Sequence, residues 1–186
     1  MKDKRIRLII ILVIILIVLD AGFLIFFLNS KGLMGIDYNP RINPSEFSNV
    51  VDNNYFTLEP KTKYVYEAET TDGKERIETY VTTEIKSVMG VNAVVVWDRV
   101  WLEGNLIEET KDWYAQDKEG NVWYFGEDSK EVIDGIVVST KGSWEAGING
   151  AKPGIIMKGN PSPGEIYRQE YYAGIVEDSG KIVALN

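Results

Sequence analysis

The chain has 186 residues, a formal net charge of −8 at pH 7, and neither cysteine nor histidine. These absences exclude disulfides, cysteine nucleophiles, Ser-His-Asp triads and metal sites built from thiolate or imidazole ligands. The negative charge opposes binding to polyanions, so we expect no nucleic-acid partner. The sequence carries no P-loop and no dinucleotide-binding glycine motif, and we expect neither a cofactor nor a metal.

Residues 1–28 are predicted to anchor the chain in a lipid bilayer. The run Leu8–Leu28 is apolar apart from Asp20, which we interpret as a tolerated charge rather than a partner-binding carboxylate. At about 1.5 Å per residue, a helix of this length matches a hydrocarbon core of ~30 Å. Basic residues precede the run, and no Ala-x-Ala cleavage motif follows it. We therefore predict a single-pass signal anchor of the cell membrane, with the N-terminus cytoplasmic and the domain outside; secretion after signal cleavage is the alternative.

Residues 29–54 are predicted to form a linker, because they are rich in Asn, Ser, Gly and Pro. One short helix is expected within it. Asn43 is a suitable N-cap, Pro44 takes the first helical position and Glu46 the third. The linker is either a stalk that holds the domain away from the membrane or an arm that packs on the domain.

Residues 55–186 are predicted to form a mainly β domain. Apolar and polar side chains alternate with a period of two, and glycine-containing turns recur about every ten residues. Such a pattern is typical of an antiparallel meander curved into an open barrel or a sandwich. The predicted strands include Lys63–Thr70, Lys74–Val88, Ala93–Leu102, Leu106–Gln116 and Ile136–Thr140, and Ala93–Leu102 is the most apolar of them.

The segment Asp112–Ser129 is predicted to be a β-hairpin dense in aromatic residues. A three-residue loop ending at Gly120 would set the register. That register pairs Tyr114 with Tyr124, Ala115 with Trp123 and Trp113 with Phe125. We expect the tryptophan face to lie in the core and the tyrosine face to line a half-wet surface or a ligand groove.

The segment Ser143–Gly164 is rich in glycine and proline and is longer than most connections between strands. It is either a lid over the sheet or an irregular edge connection anchored by Trp144. Together with the tyrosine face of the hairpin, it supplies the candidate residues for binding a ligand or partner, which are Tyr114, Tyr124 and Trp144.

The chain from Asn54 onward resembles a family of uncharacterised exported bacterial and archaeal β-rich proteins. Family members continue past the equivalent of Ile182–Leu185 with further strands, so the resemblance implies a truncated C-terminus or a sheet that closes differently. The family has no known activity, and the resemblance assigns no catalytic residue. The residues that carry it are Asn54-Tyr55-Phe56, Tyr64–Glu67, Asp98–Trp101, Asp112–Ser129, Gly142–Gly147, Ala151–Met157 and Tyr167–Tyr172.

Three functions remain open from the sequence. The leading hypothesis is a non-enzymatic module that binds a small molecule or a surface protein. The second is a carboxylate-based hydrolase, similar to a glycosidase, that acts on a cell-surface polymer, and the third is a purely structural surface protein. A cavity lined by Tyr114 and Tyr124 without a close acid pair would favour binding, whereas two buried carboxyls about 5–9.5 Å apart would favour hydrolysis.

Overall fold

The computed structural model describes residues 38–185. The predicted membrane anchor Leu8–Leu28 and its Asp20 lie outside these residues. Within residues 38–185, no helix combines the length and the hydropathy that a membrane span requires. The strands described below belong to a compact unit that begins at Pro40.

The described residues are almost entirely β-structure, with one short 3₁₀ helix at Pro44–Glu46. The Asn43 side chain caps this helix by accepting a hydrogen bond from the backbone N–H of Ser45. The strands are β1 (Phe47–Ser48), β2 (Val51–Asn53), β3 (Phe56–Leu58), β4 (Lys63–Thr70), β5 (Gly73–Val88), β6 (Val91–Leu102), β7 (Asn105–Asp117), β8 (Val122–Ile133), β9 (Ile136–Ser139), β10 (Trp144–Glu145), β11 (Lys152–Met157), β12 (Ile166–Arg168), β13 (Glu170–Tyr171) and β14 (Ser179–Lys181).

The main sheet is antiparallel and runs in the order β13-β11-β8-β7-β6-β5-β4. Strands β4 to β8 follow one another as a meander, because each is joined to the next by a tight turn. Bulges interrupt the ladders between β5, β6, β7 and β8, and such bulges bend and twist a sheet. The sheet is a curled half-barrel, which confirms the predicted mainly β, antiparallel fold.

The apolar β6 lies inside the sheet, between β5 and β7. Successive side chains of β6 are buried on opposite faces of the sheet. Val94 and Val96 pack with Val51 and Leu58 of the β2–β3 hairpin, whereas Val95 packs with a second cluster that contains Trp113. Burial on both faces explains why this strand is a nearly continuous run of valines.

Residues 40–54 pack on the domain, as in the second of the two alternatives for the linker. Strand β1 pairs with β7, with Phe47 opposite Asp117. Val51 of β2 is only 2% exposed. These strands have two and three residues, too few to produce a recognisable alternation in the sequence.

The glycine-rich segment Ser143–Gly164 forms an edge connection. Its strands β10 and β11 both pair with β8, with Trp144 opposite Glu127 and Ile155 opposite Trp123. After this segment the chain forms two short strands, β12 and β13, which pair with β14 and β11 respectively.

Candidate functional site

The aromatic hairpin β7–β8 has the predicted register at its turn. Tyr114 lies opposite Tyr124 and Ala115 lies opposite Trp123. Asp117 holds the loop, because its Oδ1 accepts hydrogen bonds of 2.9 Å from the backbone N–H groups of Glu119 and Asn121. The predicted pairing is therefore confirmed on the turn side of the hairpin.

Beyond Tyr114 the hairpin contains a bulge that the predicted pair Trp113–Phe125 did not anticipate. Asp112 lies opposite Glu127, so Trp113 faces two residues of β8 in place of one. Gly126 takes φ 131°, a conformation that disfavours a side chain. The bulge has a consequence for chemistry, because it places Tyr124 and Glu127 on the same face as Asp112 and Tyr114.

This face of the sheet, which carries Val96, Asp98, Asp112 and Tyr114 and which we call the cleft face, borders a cavity. The cavity has a volume of about 480 Å³ and lies between the β2–β3 hairpin and strands β4 to β7. Its lining residues are aromatic (Tyr55, Phe56, Tyr64, Tyr66, Tyr114), carboxylic (Asp98, Asp112), other polar (Asn54, Thr57, Thr79) and aliphatic (Leu58, Val96). We call this cavity the Tyr114 cleft.

Asn53 positions one wall of the Tyr114 cleft. Its side-chain Oδ1 accepts hydrogen bonds from the backbone N–H groups of Tyr55 and Phe56, at 2.8 and 3.1 Å. Its Nδ2 donates to the carbonyl oxygens of Gly120 and Lys158, at 2.8 and 3.0 Å. Asn53 is 6% exposed, and these four bonds tie the aromatic turn to the body of the domain.

The three residues predicted from the sequence form one aromatic stack, but only Tyr114 reaches the cleft. Tyr114 stacks on Tyr124 with ring centroids 4.8 Å apart, and Tyr124 meets Trp144 edge-on at 5.4 Å. Phe56 extends the stack from the cleft side, 5.4 Å from Tyr114. Tyr124 and Trp144 are each 4% exposed, so the tyrosine face is mostly covered, unlike the half-wet surface that we expected.

Behind the cleft, the hydroxyl of Tyr124 joins two carboxyl groups. It lies 2.5 Å from Oδ1 of Asp112 and 3.1 Å from Oε2 of Glu127. A phenol has one proton, so it donates to one of these oxygens and accepts from the other only if that carboxyl is protonated. The arrangement therefore favours the protonated form of one of the two carboxyl groups.

The pKa values of these acids are shifted upward. Burial raises the pKa of Asp112 to about 8, with the Tyr124 hydrogen bond opposing the shift and the negative charges of Glu127, Asp98 and Glu170 adding to it. Burial also raises the pKa of Glu127. Glu170 accepts a hydrogen bond of 3.2 Å from Nε1 of Trp144, and burial raises its pKa to about 7. Loss of hydration disfavours the charged form, so Asp112 is mostly protonated at pH 7 and Glu170 titrates near neutral pH.

Asp98 is the second carboxyl of the cleft, and sequence reasoning missed it as a site residue. It accepts a hydrogen bond of 2.6 Å from the Thr79 hydroxyl, and burial raises its pKa. Asp98 lies opposite Thr110 and Val96 lies opposite Asp112, so the two aspartates are diagonal neighbours on β6 and β7. The alternation of side chains along β6 could have identified Asp98, because it places Asp98 on the same face as the buried Val94 and Val96.

None of the ion pairs within residues 38–185 includes Asp98, Asp112, Glu127 or Glu170. The same residues contain no group of three or more acidic side chains arranged to hold a metal ion. The cleft is thus an aromatic cavity with a carboxyl floor and no cation of its own.

Comparison of the chain with protein-family models, with curated proteins and with solved structures finds no match in any of the three. The resemblance carried by Asp112–Ser129 therefore stays a prediction, and the site is interpreted from its own chemistry.

Proposed function

We propose that the domain is a non-enzymatic binding module that takes a small ligand in the Tyr114 cleft. The observation that supports this proposal best is the lining of the cleft, where five aromatic side chains surround two carboxyl groups. Concave sites with apolar walls and a few convergent polar groups are typical of ligand binding. We further propose that the predicted anchor Leu8–Leu28 displays this module outside the cell membrane.

Hydrolysis is the second candidate, because Asp98 and Asp112 line one cleft. A glycosidase needs two carboxyls in unlike environments, one that holds its proton and one that is ionised. Burial raises the pKa of Asp112 to about 8, and it also raises the pKa of Asp98, where the Thr79 hydrogen bond opposes the shift. The aromatic lining of the cleft is the observation that supports binding over hydrolysis.

Ligand-observed fluorine NMR with a library of fluorinated fragments tests the proposal on the full-length chain. We expect some fragments to bind the wild type and to lose binding in Tyr64→Ala, because Tyr64 lines the cleft. Tyr80→Ala is the matched control, since Tyr80 lies on the neighbouring strand β5 and faces the opposite side, with Trp97 as its partner on β6.

The proposal fails if no fragment distinguishes Tyr64→Ala from the wild type. The hydrolase candidate has a separate readout. Release of reducing sugar from a cell-surface polysaccharide by the wild type, but not by Asp112→Asn or Asp98→Asn, would replace the binding proposal with hydrolysis.

A further inference from the structure

We propose that the ligand of the Tyr114 cleft is an organic cation, an alkylammonium or guanidinium group held between aromatic rings and the carboxyl groups of Asp98 and Asp112. This inference rests on the proposed binding function and specifies its ligand class. Three features of the described residues lead to it, which are the aromatic walls, the unpaired acids and the contrast with the other face of the same strands.

The walls of the cleft are suited to a cation. Tyr55 and Phe56 contribute rings from the β2–β3 hairpin, Tyr64 and Tyr66 from β4, and Tyr114 from β7. Aromatic rings on several sides of a cavity bind quaternary ammonium groups where their negative π faces meet the cation. Tyr55 and Tyr66 are 51% and 57% exposed, so the rings at the mouth are free to contact a ligand.

The described residues place no positive charge at the floor of the cleft. Asp112 is only 9% exposed, and the Tyr124 hydroxyl donates a hydrogen bond to its Oδ1. Within residues 38–185, its second oxygen Oδ2 receives no hydrogen bond and no ion pair. Asp98 accepts a hydrogen bond from the Thr79 hydroxyl and forms no ion pair within residues 38–185. A carboxyl oxygen that lines a cavity and has no partner in the domain is available to accept a hydrogen bond from a ligand.

On the opposite face of the same strands, a carboxylate is neutralised by ion pairs within the domain. Glu78 neighbours Thr79 on β5 and points away from the cleft. It contacts three cations, at 3.3 Å from Lys63, 2.6 Å from Arg76 and 3.0 Å from Arg99. Among residues 38–185, no lysine or arginine lines the Tyr114 cleft. The two acids of the cleft are therefore left for a cation from outside the domain.

The size and charge of the cleft restrict the ligand further. A volume of about 480 Å³ accommodates a small amine or a single side chain. An anion would meet two carboxyl groups and no counter-charge. A neutral sugar would stack on the rings but would leave the carboxyl groups without a positive partner. Its binding would therefore be less favourable than that of a cation. The net charge of −8 adds a long-range attraction for cations.

Binding of a cation is expected to release a proton. The charged and titratable groups that face Asp112 are Asp98, Tyr114, Tyr124, Glu127 and Glu170, all of them acids. A positive ligand favours the ionised form of Asp112 and displaces its proton. Affinity should therefore increase as the pH rises from about 6 to about 8.

Calorimetric titration of the full-length chain in phosphatidylglycerol nanodiscs tests the ligand class, with empty nanodiscs as a blank. The probes are choline, its uncharged carbon isostere dimethylbutanol, and the neutral disaccharide cellobiose. We expect choline to bind, dimethylbutanol to bind roughly tenfold or more weakly, and cellobiose not to compete. Titration in two buffers of different ionisation enthalpy should reveal proton release on choline binding.

The variants Asp112→Asn and Asp98→Asn should each weaken choline binding roughly tenfold or more and leave the isostere unaffected. Glu109→Gln is the control, because Glu109 lies on β7 opposite Arg99 and faces away from the cleft. Circular dichroism melting checks that each variant is folded, and the two aspartates provide independent tests should one variant unfold.

The outcomes separate the two proposals. Equal binding of choline and dimethylbutanol, or binding of cellobiose that depends on Tyr64, would overturn the cation inference and leave the binding module in place. If none of the probes binds and the fragment screen is also negative, both proposals fail.

Discussion

The hydroxyl of Tyr124 lies 2.5 Å from Oδ1 of Asp112, in a part of the core where both side chains are more than nine-tenths buried. The tyrosine stays protonated, because burial and the neighbouring acids raise the pKa of its hydroxyl. The contact joins the floor of the Tyr114 cleft to the interior, where burial raises the pKa of Asp112 and the Tyr124 hydrogen bond opposes that rise.

Stability should fall as the pH rises through the range of Asp112. Burial raises its pKa from 3.8 to about 8 in the folded state, so between these values the folded chain binds a proton that the unfolded chain releases. The free energy of unfolding then decreases by up to about 1.4 kcal/mol per pH unit from this group, in the window from about pH 4 to pH 8. Urea denaturation at a series of pH values measures the slope.

Asp112→Asn removes the titration and is expected to flatten the pH dependence across this window. Glu109→Gln should preserve the wild-type slope, since Glu109 lies on the opposite face of β7. A slope that is unchanged in Asp112→Asn would show that another group causes the pH dependence. Glu170, whose pKa burial raises to about 7, is then the first group to substitute.

Tyr124→Phe should destabilise the domain. The substitution removes a hydroxyl that contacts Asp112 and Glu127, and it leaves a buried carboxyl without its donor. We expect a loss of about 1–3 kcal/mol in the free energy of unfolding at neutral pH. Tyr80→Phe is the control, because no hydrogen bond of the Tyr80 hydroxyl occurs within residues 38–185, and it should change stability by less than about 0.5 kcal/mol. Equal losses in both variants would contradict this role of Tyr124.

Gly126→Ala should cost more stability than Gly135→Ala. Both glycines have positive φ, of 131° and 76°. A methyl group at Gly126 would overlap the Trp144 carbonyl and the Trp113 ring, whereas one at Gly135 would meet open space. We expect about 2–4 kcal/mol for Gly126→Ala and about 1 kcal/mol for Gly135→Ala, measured by thermal or urea unfolding. A reversed order would show that the bulge relaxes around the added methyl group.

Asn53→Ala should loosen the β2–β3 hairpin without unfolding the main sheet. The amide accepts from Tyr55 and Phe56 and donates to Gly120 and Lys158, and all four bonds are lost together. Hydrogen exchange should accelerate in residues 51–58 and remain slow in β6 and β7. Asn105→Ala is the matched control, because the Asn105 amide makes one exposed bond of 3.3 Å to Glu103. Uniform acceleration throughout the sheet would contradict a local role.

The two strands of the aromatic hairpin show what local pattern can predict. The register at Tyr114–Tyr124 and Ala115–Trp123 follows from the loop length and the glycine at position 120, which are local properties of the chain. The bulge opposite Trp113 does not follow from them. It forms where Gly126 meets the backbone of Trp144, a residue that the pairing of β10 with β8 brings close.

The residues of the candidate site likewise divide into those that the local sequence pattern predicts and those that long-range contacts bring together. Tyr114 was predicted and lines the cleft, whereas Tyr124 and Trp144 lie beneath it. Asp98, Phe56 and Tyr64 come from β6, β3 and β4, and no spacing in the sequence relates them. They meet because the sheet curls and the β2–β3 hairpin covers it, which are long-range contacts.

The sequence by itself determined the chemistry that this protein lacks, its antiparallel β character and the order of its long strands. These properties depend on composition, on a period of two and on turn residues, all of which act over a few neighbouring positions. Tertiary structure alone decided that Asp112 is buried against Tyr124 and that two aspartates without a cation share an aromatic cleft. The physical reason is that burial and charge pairing depend on which distant strands cover a side chain, and strand alternation specifies a face of the sheet but not what packs against it.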